Sequence, residues 1–178
     1  MGGVVFGRGV HEIALEGYRY IKSQLALQKG VAEPWLNDPV YLVGHSRGGL
    51  VVLEVGEMLK ADGIPVHFMG LYDAVSMDMA HPSGPVSANV QFVADGRRLA
   101  ERTTAGVEWG NTGVGGGQTH IVEYFNGTHS AMGGEPGAGP QTDNQTMMSN
   151  VLASREIDQY IRKWSVLNGA KFKSKKRK

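Results

Sequence analysis

A short apolar run, a glycine-rich turn and a second apolar segment follow one another, and this order constrains the fold more than any other feature. Residues 40–43 read Val-Tyr-Leu-Val, and such a run without alternation is typical of a buried strand in a parallel sheet. Residues 44–48 read Gly-His-Ser-Arg-Gly and form the turn, and the residues that follow, to about Lys60, are apolar nearly all round, as in a buried helix. A strand, a sharp turn and a buried helix together predict an α/β layered fold.

The rest of the chain alternates between helical and strand-like patterns. Apolar residues recur at helical spacing over 9–29, and a last helix is predicted from a capping box at Thr142 and Gln145 to about Leu167. Further strands are predicted over 66–72, 89–93 and 121–125. Apolar strands with helical connections indicate a mostly parallel sheet between helices, so we expect one three-layer α/β sandwich over residues 1–170.

The composition is that of a globular domain and excludes several site chemistries. The 178 residues are 41% hydrophobic and 20% charged, which argues against a disordered chain. There is no cysteine, which excludes a disulfide framework, a thiol nucleophile and a cysteine-based zinc site. No apolar run approaches the ~20 residues of a membrane span, and the start lacks a secretory signal. We therefore expect a cytoplasmic protein, with export by a route that needs no cleaved signal left open.

The charge is distributed unevenly along the chain. Residues 171–178 hold six of the 18 basic residues and no acid, so the remainder has 12 basic against 17 acidic residues. This acidic remainder offers no basic face to nucleic acid. We expect 171–178 to be a disordered, solvated tail, with contact to an anionic membrane or a partner as the alternative.

The turn at 44–48 fits the pattern Gly-x-Ser-x-Gly, which between a strand and a helix marks a nucleophile elbow. Such a turn makes the Ser46 hydroxyl project from the sheet, and the small Gly44 and Gly48 let strand and helix pack closely around it. The helix then directs its N-terminus at the reacting centre, where the Arg47 N–H is the expected oxyanion donor. The alternative is that Ser46 merely caps this helix.

A serine hydroxyl needs a histidine to take its proton and usually a carboxylate to orient that histidine. Asp73 comes directly after the strand at 66–72, and His129 follows the strand at 121–125. Because the carboxyl ends of parallel strands meet at one edge, where α/β sheets place their sites, both residues are expected beside Ser46. The chain order serine, acid, histidine is that of the α/β-hydrolase arrangement.

Other histidines and carboxylates compete for these roles. His81 is the main rival base because it lies in the loop after Asp73, and Asp78 and Asp95 are the rival acids. Asp73, Asp78, His81 and His129 are possible metal ligands, but their spacing forms no dense cluster, so no metal site is expected. Structural or exposed positions are expected for the remaining histidines, His11, His45, His67 and His120.

Three segments of the chain resemble the α/β-hydrolase domain of bacterial type VI secretion lipase effectors of the first class and their relatives. Residues 44–49 read GHSRGG, residues 70–75 read GLYDAV, and residues 124–134 read YFNGTHSAMGG. The stretch at 7–9, with the apolar pattern after it, is similar to the helix that precedes the elbow strand in that family. The resemblance covers residues 5–165 loosely and the three segments well.

The resemblance implies a hydrolase of ester bonds, with phospholipid as the known substrate of the effector members. By position it gives the triad roles to Ser46, Asp73 and His129. Family members begin with a further strand and a loop reading Asp-Gly-Thr or similar near the oxyanion. Nothing like this loop stands before Val10, so we expect the N-terminal strands to be lacking, and the source of the second oxyanion donor stays open.

Two weaker signals lie in loops. The glycine-rich segment 110–117 is not followed by the Lys-Ser or Lys-Thr of a phosphate-binding loop and leads into a strand, so we interpret it as a connector. A flap beside the acyl site is a hypothesis for this segment. Met77, Met79 and Met132 flank the predicted acid and base and are candidates to line an acyl pocket, with filling of the core as the alternative.

The sequence therefore favours an α/β-hydrolase-like sandwich that cleaves carboxylic esters, of lipids or phospholipids, without a cofactor. Two alternatives stay open: a catalytically impaired partial hydrolase fold that acts as a binding module, and hydrolysis of thioesters or peptides by the same triad. Peripheral contact with a membrane fits a lipid substrate, whereas nucleic acid is not expected as a partner.

Overall fold

The long helices and the strands follow the order that the apolar patterns predict, and a 3-10 turn and one short helix that were not predicted are present in addition. The computed structural model of the protein describes residues 8–28, 30, 32–75, 85–99, 115–137 and 144–172. The helices are α1 (Arg8–Ala26), α2 (Arg47–Ala61), α3 (His129–Met132) and α4 (Asn144–Leu167), with a single 3-10 turn at Pro34–Leu36. The strands are β1 (Val40–His45), β2 (Val66–Tyr72), β3 (Phe92–Arg98) and β4 (Thr119–Phe125).

The four described strands form one parallel sheet in the order β1-β2-β3-β4. Successive side chains of a strand point to opposite faces, and the middle of β2 shows which helix covers each face. Met69 packs in the core that includes α2, whereas a Cβ at Gly70 would touch Ile161 of α4. The sheet is thus covered by α2 on one face and by α4 on the other, which confirms an α/β layered fold with a parallel sheet.

Each face of the sheet has its own apolar core. The core on the α2 face also includes Ala14 and Leu25 of α1, which packs against α2. The core on the α4 face is centred on Phe68 and Ile157, both fully buried. At Gly96 of β3 a Cβ would lie 2.6 Å from Ile157, so only a glycine lets α4 pack this closely on the sheet.

The third strand lies further along the chain than the apolar pattern predicts. The prediction of a strand over 89–93 was wrong: β3 runs from Phe92 to Arg98, and Val90 makes only an isolated bridge to Val66. The physical reason is that the second half of β3 carries charged side chains that are nevertheless largely buried. Arg97 pairs with Asp95 inside the strand, and Arg98 pairs with Asp73, which directly follows β2. Apolar periodicity cannot detect a strand of this kind.

The first and last helices end close to where the sequence predicts. Helix α1 ends at Ala26, three residues before the predicted end at 29, and α4 ends at Leu167 as predicted. Thr142 and residues 173–178 lie outside the described residues, so the capping box and most of the basic tail stay predictions. Among the described helices, none combines the length and apolar character needed to cross a membrane.

Candidate active site

Ser46 occupies a strained position between β1 and α2. Its backbone has φ +57° and ψ −127°, a conformation that costs energy in any residue with a side chain. The turn is held because the Ser46 N–H donates to Tyr72 O at 3.1 Å, while Ser46 O accepts from the Gly49 N–H at 3.0 Å. The Ser46 side chain makes no capping hydrogen bond to α2. The alternative role of Ser46 as a simple helix cap is therefore wrong, and its hydroxyl is directed elsewhere.

The glycines of the turn have different packing roles. A Cβ at Gly44 would overlap the carbonyl of Gly48, and a Cβ at Gly49 would overlap the Ala74 side chain. At Gly48 a Cβ would meet nothing within 4 Å. The expectation that a small side chain is needed at Gly44 agrees with the structure. For Gly48 it was wrong, because on the helix side it is Gly49 that makes the close approach.

Asp73 follows β2 directly and is fully buried. Its backbone also has a positive φ, +44°, in a region that residues with side chains rarely adopt. The Asp73 N–H donates to Gly96 O of β3 at 2.7 Å, which fixes this turn to the neighbouring strand. The carboxylate is thereby held at the carboxyl end of the sheet, where Ser46 follows the end of β1.

His129 is the first residue of α3, four residues after β4 ends. Its Nε2 lies 2.8 Å from Ser46 Oγ, and its Nδ1 lies 2.7 Å from Asp73 Oδ2. The three predicted site residues are therefore joined in one chain of hydrogen bonds, although each follows a different strand. In the tautomer with the proton on Nδ1, His129 donates to Asp73 and accepts from the Ser46 hydroxyl, which is the geometry for proton transfer from serine to imidazole.

A fourth charged group, Arg98, adjoins this chain and was missed by the sequence analysis. Arg98 ends β3, and its Nη1 forms an ion pair with Asp73 Oδ2 and lies 2.9 Å from His129 Nδ1. Burial acts to raise the pKa of Asp73, but the hydrogen bond from His129 and the charge of Arg98 outweigh it and hold this pKa below its ordinary value. A predicted strand that reached residue 98 would have placed Arg98 at the edge of the sheet beside Asp73, but the predicted strand ended at residue 93.

His45 supports His129 from the side of β1. The two rings are stacked with centroids 4.9 Å apart, and His45 Nε2 donates to the His129 backbone carbonyl at 3.2 Å. Burial lowers the pKa of His45, which favours its neutral form. The ring also lies directly against Gly133, where a Cβ would overlap it. The expected packing role of His45 is correct, but the residue on which it packs could not be predicted.

Asn150 of α4 holds the backbone around His129. It is fully buried, its Oδ1 accepts from the Thr128 N–H at 3.0 Å, and its Nδ2 donates to Pro136 O at 3.4 Å. Thr128 in turn is the N-cap of α3, and its Oγ1 accepts from the Ala131 N–H. Asn150 of α4 and the N-cap residue Thr128 thus fix the short helix α3, which carries the imidazole of His129.

The rival candidates have different positions. Asp95 lies inside β3, where its Oδ2 accepts from Arg97 at 2.6 Å and lies 3.4 Å from His120 Nε2. His67 Nδ1 accepts from the Val40 N–H at the amino end of β1, and His11 on α1 pairs with Glu54. In the part of the chain that the structure describes, Ser46 is bonded to none of the side chains of Asp95, His120, His67 and His11.

Most residues predicted to line the acyl pocket or to act as rivals lie outside the described residues, and Met132 packs in a core. Met77, Asp78, Met79, His81 and residues 110–114 of the glycine-rich segment lie outside the described residues, so their predicted roles stay predictions. Met132 is fully buried in the core on the α4 face, with Phe68 and Phe125. Within the described ranges, no group of three or more histidines and carboxylates is placed to hold a metal ion.

The Arg47 N–H, the predicted oxyanion donor, belongs to the first residue of α2. The first N–H groups of a helix have no acceptor within it and carry the positive end of its dipole. The residue that follows Ser46 thus provides a donor of the kind that an oxyanion needs.

We compared the chain with protein-family models, curated proteins and solved structures. No protein-family model matches the chain, and no curated protein or solved structure is significantly similar to it.

Proposed function

We propose that the protein is a serine hydrolase that cleaves carboxylic esters through an acyl-enzyme. The observation that carries the proposal is the chain of contacts from Ser46 Oγ through the His129 ring to Asp73 Oδ2, at 2.8 and 2.7 Å. The strained backbone of Ser46 supports it, because strain of this kind is concentrated at functional sites. The Ser46 hydroxyl contacts His129 Nε2 and makes no capping bond to α2, as the proposal requires.

The first half of the reaction acylates the serine. Ser46 Oγ bonds to the ester carbonyl carbon as its proton moves to His129 Nε2, and the Arg47 N–H stabilises the oxyanion. His129 then gives the proton to the leaving alcohol oxygen, and the bond from that oxygen to the carbonyl carbon breaks. Asp73 fixes the His129 tautomer and stabilises the imidazolium that forms for a moment.

The second half releases the acid. His129 takes a proton from a water molecule, whose oxygen bonds to the acyl carbon. The bond from this carbon to Ser46 Oγ then breaks, and the proton on His129 returns to the serine. No cofactor takes part in either half.

Lipid and phospholipid esters are the proposed substrates. The support is the resemblance of segments 44–49, 70–75 and 124–134 to type VI secretion lipase effectors, whose triad positions coincide with the residues that are in contact here. Thioesters are the chemical alternative, because a triad alone does not distinguish an oxygen from a sulfur leaving group.

Labelling with a fluorophosphonate probe tests the proposal. We expect the folded protein to be labelled stoichiometrically at Ser46, labelling to vanish in Ser46→Ala, and labelling to persist in Ser23→Ala. Ser23 is a suitable control because it is exposed on α1 and donates to Tyr20 O within the same helix. A folded protein, judged by circular dichroism, that is neither labelled nor active on short nitrophenyl esters would overturn the proposal. A panel of nitrophenyl esters, phospholipids and acyl thioesters then identifies the substrate class.

A further inference from the structure

The basic residues of the chain are concentrated towards its C-terminal end. Residues 144–178, which begin with α4, contain nine of the 18 basic residues and two of the 17 acidic residues. Residues 1–143 contain the other nine basic residues and 15 acidic residues. An anionic surface therefore attracts one part of the chain and repels the remainder, which orients the molecule toward such a surface.

The face of α4 that points away from the sheet carries apolar and basic side chains together. On its inner side the helix buries Ala153, Ile157 and Ile161. Opposite them, exposed residues recur every three or four positions, and we call this stripe the outer face of α4. It consists of Met148, Leu152, Arg155, Gln159, Arg162 and Val166. Met148 and Leu152 are 63% and 48% exposed and lie one turn apart, so this end of the face is an apolar patch rather than a single scattered side chain.

The segment after α4 extends the outer face. The Phe172 ring is exposed, and its centroid lies 5.1 Å from Cζ of Arg162. Lys163 and Lys171 are exposed in the same stretch, and residues 173–178, which lie outside the described residues, add five bases by sequence. An exposed aromatic ring among bases is typical of a segment that binds at a lipid–water interface.

The two acidic residues of α4 leave this surface basic. Asp158 is paired with Arg162, Oδ2 to Nε at 2.7 Å, and its Oδ1 accepts from the Tyr72 hydroxyl at 3.3 Å. Glu156 is exposed beside the outer face. The charges of these two carboxylates are opposed by the nine basic residues from Arg155 onwards.

The outer face begins beside the candidate active site. Asn150 lies on the inner side of α4 between Met148 and Leu152, and its Oδ1 accepts from the Thr128 N–H at 3.0 Å. Thr128 caps α3, the helix that carries His129. The apolar end of the outer face is therefore at the same end of the molecule as the candidate catalytic residues.

We propose that the outer face of α4 and the basic residues after it bind an anionic lipid bilayer. A bilayer contacts both kinds of residue, because its charged headgroups attract the bases and the boundary between headgroups and acyl chains accepts the apolar side chains. A nucleic acid would bind the bases and leave Met148, Leu152 and Phe172 in water. The surface goes beyond the proposed reaction, since binding requires no catalysis. Together with the proposed function, it holds the candidate active site close to lipid esters.

Sedimentation with vesicles of ether-linked lipids tests the proposal, because these lipids contain no carboxylic ester for the protein to cleave. One set of vesicles contains dialkyl phosphatidylcholine alone, and the other contains equal parts of dialkyl phosphatidylcholine and dialkyl phosphatidylglycerol. We expect the protein to bind the anionic set at least about tenfold more tightly. The difference should shrink as salt is raised from about 0.1 M to about 1 M, because the Debye length falls from about 10 Å to about 3 Å.

Two sets of substitutions address the two kinds of contact. Arg155→Gln, Lys163→Gln and Lys171→Gln in one chain should weaken binding to the anionic vesicles by about 100-fold, since each base near the surface contributes about fivefold. Met148→Ser with Leu152→Ser should weaken it by about tenfold, because two apolar side chains no longer enter the interface. All five side chains are exposed, so we expect both variants to fold, which circular dichroism checks. Should a set not fold, Lys163→Gln or Leu152→Ser alone takes its place, with a smaller loss in the same direction.

Matched controls lie in α1, just after it, and in α2, on the other face of the sheet. Arg19→Gln, Lys22→Gln and Lys60→Gln remove the same number of exposed bases. Ile13→Ser with Leu27→Ser removes the same number of exposed apolar side chains. Because net charge and apolar content change equally in test and control, a larger loss in the test sets reports the position of the surface.

Each outcome decides for or against the proposal. Absence of binding to the anionic vesicles, or equal losses in the test sets and the controls, overturns it. A loss confined to the base substitutions, with the Met148→Ser and Leu152→Ser variant binding as tightly as the unmodified protein, also overturns it and favours a purely electrostatic partner such as a nucleic acid. Failure of fluorophosphonate labelling overturns the proposed function of Ser46 and leaves the vesicle result unchanged.

Discussion

Strand β3 contributes to two clusters that contain the same three residue types and differ in what they can do. The edge cluster lies at the carboxyl end of the sheet and the mid-strand cluster lies inside it, on the opposite face. The edge cluster consists of Asp73, Arg98 and His129. The mid-strand cluster consists of Asp95, Arg97 and His120.

The difference between the clusters is one of geometry. In the edge cluster the carboxylate and imidazole are 2.7 Å apart and the second ring nitrogen meets a serine. In the mid-strand cluster the corresponding distance is 3.4 Å. There, Asp95 Oδ1 and His120 Nδ1 are buried and have no hydrogen-bond partner among the residues that the structure describes. An aspartate, an arginine and a histidine therefore connect to a serine only where strand ends bring all four residues together.

The largest effect on activity is expected from replacing Asp73, and the same replacement at Asp95 provides the comparison. Asp73→Asn should lower kcat by about 10⁴-fold, as loss of the acid does in other serine triads, because His129 is no longer held in the productive tautomer. Asp95→Asn should leave kcat within a few-fold of the unmodified protein. Steady-state hydrolysis of a nitrophenyl ester, on variants checked for folding, measures both. Similar losses in the two variants would show that the clusters are not functionally distinct.

The turn that brings the serine to the edge cluster gives the next effect. Gly44→Ala places a methyl group against the Gly48 carbonyl and should lower the free energy of unfolding by about 1–3 kcal/mol or more. Gly48→Ala has open space and lies in the first turn of α2, so it should be neutral or stabilising by up to about 1 kcal/mol. Urea unfolding measures both changes. A Gly48→Ala variant as unstable as Gly44→Ala would contradict this reading of the turn.

Acid sensitivity offers a third comparison. The pKa of Asp73 is held below its ordinary value in the folded protein, so the unfolded chain binds the proton more readily. The stability that this carboxylate contributes is present above about pH 4 and is lost as the pH falls through the lowered value. The difference in unfolding free energy between the unmodified protein and Asp73→Asn should therefore shrink from pH 6 to pH 3. A difference that stays constant over this range would contradict the lowered pKa.

The smallest effect is expected at His120. Among the described residues His120 Nδ1 is buried without a hydrogen-bond partner, and Nε2 makes only a long contact, 3.4 Å, to Asp95, so an aromatic ring of similar size should replace the imidazole at little cost. His120→Phe should change the unfolding free energy by less than about 1 kcal/mol and leave ester hydrolysis unchanged. A large loss of activity would give the mid-strand cluster a role that its geometry does not suggest.

The site residues that follow apolar strands were predictable from the sequence, whereas the residue that ends a charged strand and the contacts made in tertiary packing were not. Apolar runs located β1 and β2 well, and the rule that parallel strands end at one edge brought Asp73 and His129 to Ser46. Arg98 was missed because a buried strand with charged residues has no apolar period. The stacking of His45 on His129 depends on how α3 returns to the sheet, which no local pattern encodes.

The parallel register of the sheet has a consequence for which changes the chain tolerates. Val43 is paired with Gly70 and His45 with Tyr72, so the ends of β1 and β2 are aligned residue by residue, and Ser46 and Asp73 emerge side by side. Because side chains alternate along a strand, a single inserted residue inside β2 would exchange its two faces and advance the carboxylate by about 3.3 Å. Deletions and insertions within the strands should therefore be far more damaging to the site than any single replacement on their surface.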